Sequence, residues 1–162
     1  MVNILAEKLI AGLEVIPDEI EQILRSAASI PSVRVNWTAP EILGHLNESA
    51  LIWGLRIRRA IYPGPLVLEA IDVDLAVRQM SYQYMSPAVL LNELRPLSQA
   101  NVHFLRGIPD PVWTRLVVQT FYRRVTLRDM VSIEIYHEQK HVFEDLRYSL
   151  GLPKVIIENT LI

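Results

Sequence analysis

Two of the chain's four histidines, His137 and His141, stand four residues apart in a segment of helical periodicity. On a helix that spacing puts both imidazoles on one stripe, about 40° apart around the axis and roughly 6 Å apart along it. This is how a helix offers two nitrogens to one metal ion. Glu134 and Glu138 flank the pair and are the candidates for orienting an imidazole or accepting a proton. The string His137-Glu138-Gln139-Lys140-His141 also reads H-E-x-x-H, the zinc-peptidase pattern with glutamate as general base. A peptidase of that kind needs a third ligand and a substrate-binding lobe. The tail after this helix offers Glu158 alone and no room for a lobe, so the context argues against it. Read alone, His45 is a core histidine bonded to a backbone carbonyl, and no motif surrounds His103.

The composition narrows the chemistry further. The chain has no cysteine, which excludes disulfides, thiolate metal sites and a cysteine nucleophile, and leaves histidines and carboxylates as metal ligands. Sixteen Lys and Arg against eighteen Asp and Glu give a net charge of -2, so no global field draws the chain to nucleic acid. The densest basic cluster, Arg56, Arg58 and Arg59, is a patch on one predicted helix. A hydrophobic fraction of 51% with 21% charged residues over 162 residues describes one core-rich domain, residues 1–162, and mean hydropathy is +0.22. No run of apolar residues is long enough to span a bilayer. Asn3, Glu7 and Lys8 break up the N-terminal apolar residues, so they do not read as a signal peptide and a cytoplasmic protein is expected.

The elements that must position these histidines are helices. Leu5, Leu9, Leu13, Ile16, Ile20, Ile23 and Leu24 recur at helical intervals over residues 4 to 26, with Pro17 marking a kink or a break. After an extended stretch from Ile30-Pro31 to Trp37, Thr38-Ala39-Pro40-Glu41 supplies a cap, a first-turn proline and an acid three residues on. A second helix therefore runs from there to about Ile61. Tyr62-Pro63-Gly64-Pro65 stops it, and residues 66 to 85 read as a long crossing with one short helix near 72–80. Ser86-Pro87 opens a third helix to about Gly107, with a bend expected at Pro96. Residues 112 to 123 fit a short strand or an extended loop equally well. Thr126-Leu127-Arg128-Asp129 caps a fourth helix that ends at Gly151 and Pro153. Four long helices with no convincing sheet predict an all-α four-helix bundle with a long crossing between helices 2 and 3.

Taken together, the motifs resemble the DinB-like, or YfiT-like, metalloenzyme family over nearly the whole chain. Trp37-Thr38-Ala39-Pro40-Glu41-Ile42-Leu43-Gly44-His45-Leu46 is similar to the family's W-[ST]-x-x-E-[IL]-x-x-H-[IL] opening of the second helix. The long crossing, Ser86-Pro87, Trp113, Thr126-Leu127 and the H-x-x-x-H pair follow in the family's order. The resemblance implies an up-down-down-up bundle in which His45, His137 and His141 bind a divalent metal. Glu138 stands where the family often has Asp, and Pro96 bends a wall of any pocket.

Three neutral imidazoles leave a fourth coordination position open, where a bound ion can acidify water or a small thiol. Zinc or nickel is the expected metal, with iron and manganese also accepted by such a donor set. The resemblance implies a metal-dependent thiol S-transferase acting on small electrophiles, with Glu138 or Glu134 taking the thiol proton. The alternatives are a hydrolase using the same three histidines and a non-catalytic, metal-stabilised binding protein of the stress response. Among other residues near the histidines, Glu48 and Glu134 are candidate fourth ligands or imidazole acceptors. Arg56 is a candidate anion contact, and Trp53, Tyr82 and Tyr84 are candidate pocket aromatics. A homodimer is expected, with no nucleic-acid or membrane partner.

Overall fold

The computed structural model describes residues 4–27, 37–63, 66–67, 71–119 and 124–158. The first predicted helix is in fact two, α1 (Ile4–Glu14) and α2 (Ile16–Ala27). Pro17 is the second residue of α2, where its missing N–H interrupts no bond, and Asp18 and Glu19 instead donate to the Val15 carbonyl. The proline thus starts a new helix rather than kinking one. The extended stretch expected over residues 30–36 lies outside the described residues. Helix α3 (Ala39–Ala60) opens where Glu41 accepts hydrogen bonds from the Thr38 N–H and hydroxyl, both at 2.7 Å.

The crossing holds the expected short helix, α4 (Val73–Met80), capped by Asp72, and a 3₁₀ turn over Tyr82–Tyr84. Helix α5 (Pro87–Arg106) then runs unbroken through Pro96. A short helix α6 (Asp110–Trp113) precedes α7 (Leu127–Lys140), which continues as a π-helical segment, His141–Leu146, into the single turn α8 (Arg147–Ser149). Thr126 and Asp129 form the capping box of α7. The helix ends where Gly151 adopts φ 76° and Leu152 donates back to the Arg147 carbonyl at 2.9 Å.

Side-chain pairings give the direction of each helix. Glu14 meets Arg106 and Asp18 meets Arg95, so α1 and α2 run antiparallel to α5. Asn47 donates to the Leu90 carbonyl while Arg58 reaches Ala100 and Asn101, so α3 and α5 are parallel, as the long crossing between them requires. His45 meets His141 while Ser49, one turn further along α3, reaches His137, so α7 and its continuation run antiparallel to α3. The bundle is up-down-down-up.

A small sheet, which the periodicity did not reveal, joins the connections. Strand β1 (Leu66–Val67) lies parallel to β2 (Leu116–Gln119), and β2 lies antiparallel to β3 (Arg124–Thr126). Of residues 112–123, which fit a strand or a loop by pattern, 112–113 belong to α6, 116–119 are strand, and 120–123 lie outside the described residues. Strands of two to four residues are too short to display an alternating pattern, and they form because distant segments pair.

The apolar core divides into two clusters. One gathers Leu9, Ile57, Leu105, Trp113 and Leu127; the other gathers Ile20, Leu43, Leu46, Leu90 and Leu146. Along α7 the change from one to the other falls between Ile135 and Val142, and along α3 between Ala50 and Ile57. The buried polar residues Ser49, Glu134 and Glu138 lie at or beside this boundary.

Pro96 is exposed in the interior of α5 and cannot donate to the Asn92 carbonyl. Pro96→Ala should therefore stabilise the fold by about 2 kcal/mol, the interior-proline penalty of roughly 3 less about 1 for a looser unfolded chain. A rise in the urea midpoint at unchanged slope checks this.

Candidate metal centre

The antiparallel packing of α3 on α7 places His45 opposite His137 and His141. Each residue presents one ring nitrogen to a common point, and these atoms all lie within 4.8 Å of one another. His45 Nε2 and His137 Nε2 are 3.1 Å apart. Two nitrogens bound at about 2.0–2.1 Å to one tetrahedral ion stand roughly 3.3 Å apart, so this spacing already suits a shared metal. His45 is buried, while His137 and His141 are partly exposed, so the cluster opens at the α7 side. The Trp37 ring lies 4.9 Å from that of His45 and is stacked at 6.1 Å on His141, covering one flank.

The outer nitrogens face a ring of polar groups. His141 Nδ1 is 2.9 Å from Asp145 Oδ2, one turn further along the chain. His137 Nδ1 is 3.5 Å from the Ser49 hydroxyl, which stands one turn beyond His45 on α3. His45 Nδ1 has no hydrogen-bond partner, and Asp74 Oδ1 from α4 lies 3.6 Å away. Such outer acceptors fix the tautomer that leaves the inner nitrogen free for a metal. The π-helical segment begins at His141, and single π turns recur at functional sites because the wider turn re-aims a side chain.

Electrostatics favour neutral, ligand-ready imidazoles. Burial, with the neighbouring rings of His141 and His137, lowers the His45 pKa to about 3. Burial, then His141 and Lys140, lower that of His137 to about 4. Burial also lowers the His141 pKa, against the pull of Asp145. Beside the histidines lie two buried carboxyls, Glu134 and Glu138. Burial first, then the adjacent Glu138, hold the Glu134 pKa well above the usual carboxylate value, while Arg56 and Ser49 pull it down. Burial pushes Glu138 up to about 7. Two buried acids this close cannot both ionise cheaply, so both are held towards the protonated form.

Several candidates have other work. Glu48 accepts the Tyr82 hydroxyl at 2.5 Å, so its carboxylate serves that tyrosine rather than an imidazole. Arg56 faces Glu134 and lies 5.3 Å over the Trp53 ring. Tyr82 is buried in the core, Tyr84 is 85% exposed, and His103 and Glu158 are exposed away from the cluster. Asp145, Ser49 and Asp74 were not anticipated. The first two were legible as i+4 neighbours of His141 and His45, whereas nothing local marks Asp74, which arrives from the crossing.

A divalent metal fits this site on its own chemistry: three neutral imidazoles and a buried, unpartnered His45 Nδ1. Residues 14–143 match the DinB superfamily, and the chain belongs to that family. The fold is similar to that of YfiT from Bacillus subtilis, described as a probable metal-dependent hydrolase with an unusual four-helix bundle topology. The two share 18% identity over 94% of this chain and 91% of that one, with a TM-score of 0.78. No curated protein matches the chain. Among the described residues no helix is long and apolar enough to cross a membrane.

Proposed function

We propose that this protein is a metal-dependent hydrolase of small molecules, with His45, His137 and His141 as the metal ligands. The observation that carries the reading is the convergence of three ring nitrogens within 4.8 Å, one of them 3.1 Å from its neighbour. The description of YfiT as a metal-dependent hydrolase supports the choice of reaction. A bound divalent ion would acidify water and polarise a substrate oxygen.

The chain's own groups have separate tasks in this reading. Asp145 holds His141 by its outer nitrogen, and Ser49 stands against His137 Nδ1. Glu138 and Glu134 are buried beside the ligands with raised pKa values, and we assign them the taking and returning of the proton during hydrolysis. Trp37 limits water on the flank it covers. The same centre with a small thiol in place of water would give an S-transferase, the activity the sequence resemblance first implied. Zinc or nickel is the metal we assign, in a cytoplasmic homodimer.

The test is an assay of the zinc- or nickel-loaded, untagged protein against activated esters, amides and electrophiles, each with and without a low-molecular-weight thiol. Hydrolysis without thiol, abolished by chelation, is the expected result. Turnover that appears only with thiol present would replace the hydrolase reading by the transferase one. Activity with neither would leave a metal-stabilised binding protein.

A further inference from the structure

We propose that Asp74 is the outer acceptor of the His45 imidazole, and that metal binding, acting through this pair, fastens α4 over the His45 side of the centre. The inference rests on the metal centre assigned above. His45 is 4% exposed and directs Nε2 at His137, which leaves Nδ1 buried with no hydrogen bond. The carboxylate that faces this nitrogen is Asp74, with Oδ1 at 3.6 Å. The other two imidazoles already have an outer oxygen close by, Asp145 at 2.9 Å and Ser49 at 3.5 Å.

A neutral imidazole that gives Nε2 to a metal must carry its proton on Nδ1, and a buried N–H without an acceptor is unfavourable. Metal binding therefore fixes the His45 tautomer that Asp74 can bond. The gap needs to close by only about 0.7 Å to reach an ordinary hydrogen-bond length.

Helix α4 is built to make that small movement as a unit. Asp72 caps it by accepting from the Leu75 N–H at 2.9 Å and also pairs with Arg78 at 3.1 Å, so the helix is held internally. Its buried residue is Val77, and Asp74 is 54% exposed. An element with so little buried apolar surface docks with a small free energy, and one added charge-assisted hydrogen bond is a large share of it. Ser81, at φ 57°, marks the joint between α4 and the 3₁₀ turn that carries the buried Tyr82.

The experiment compares untagged full-length wild type with Asp74→Ala and Asp74→Asn. Zinc affinity is measured by chelator competition, and amide hydrogen exchange across α4 is followed with and without zinc. Asp74→Ala should weaken zinc binding by about ten- to a hundredfold and abolish the zinc-induced slowing of exchange in α4. The thermal midpoint of its metal-free form should match the wild type. Asp74→Asn removes the same charge from the first turn of α4 but keeps an oxygen acceptor, and should recover about half of both effects, a neutral hydrogen bond being roughly half as strong as a charge-assisted one. Unchanged affinity and unchanged protection in Asp74→Ala would overturn the proposal and leave the metal centre standing. So would an Asn variant as weak as the Ala variant, since the effect would then be one of charge alone. A wild type that binds no zinc would overturn the centre itself and this inference with it.

Discussion

Alanine in place of His45 or His137 is expected to take the metal content of the protein from about one ion per chain to none, read by elemental mass spectrometry on untagged protein. A site of three imidazoles has no spare ligand. Losing one leaves two nitrogens and two or more waters, which bind too weakly to survive dialysis. The same variants should lose the response of stability to metal. With free zinc at a thousand times the dissociation constant, the wild type gains about 4 kcal/mol. For a domain of this size that is a rise in Tm of roughly 8–16 °C. Neither variant should shift. Without metal, His45→Ala should cost less than an ordinary core truncation, because the cavity it leaves is offset by removing a buried Nδ1 that has no partner. If the wild type stays empty after dialysis against zinc and nickel, the three histidines are a polar layer between the two core clusters and the hydrolase reading goes.

Gly44→Ala is expected to lower stability by about 1–3 kcal/mol, although alanine is the better helix former by roughly 1 kcal/mol. A Cβ at residue 44 would lie 2.3 Å from the Tyr82 ring. The tyrosine has nowhere to go: it is 6% exposed and its hydroxyl is bound to Glu48, one turn along α3 from Gly44. The strain therefore falls on the packing of the crossing against α3, next to His45. Gly12→Ala is the control, since a Cβ there meets Ile135 Cγ2 at 3.3 Å and Gln139 at 3.6 Å, contacts that small shifts relieve. Urea unfolding of both variants should show a drop in midpoint for Gly44→Ala and little change for Gly12→Ala. Equal midpoints would mean that the Tyr82 ring is free to move aside.

Much of the bundle was legible because its signals are local. Capping at Thr38 and Thr126, the proline after Ser86 and the glycine at 151 mark helix ends through contacts within four or five residues, and each appears where expected. Of the kink or break that Pro17 marked, the break is what forms, at Val15 just before it, because proline fits the first turn of a helix. The sheet was missed because its strands are short and β1 pairs with a strand some fifty residues away. Arg56 and Glu48 looked available beside the histidines, but the charge of Arg56 acts on Glu134 and Glu48 holds the Tyr82 hydroxyl. No spacing in the chain predicts those partners.

The sequence alone determined the helical class, the two-histidine stripe of α7 and, through the motif around Trp37, the third histidine on α3. The first two rest on i to i+4 relations that a single helix enforces, and the third on the resemblance of that motif to a known family. Tertiary structure decided what depends on how helices are laid side by side. The antiparallel packing of α3 on α7 brings residues 92 apart in sequence to a nitrogen separation of 3.1 Å. The same packing buries Glu134 with Glu138, and the crossing sets Asp74 against His45. A histidine cluster that could hold a metal is a meeting of groups in space, and its inner nitrogens were readable helix by helix. Its charge, its access and most of its outer contacts arose only when the helices packed.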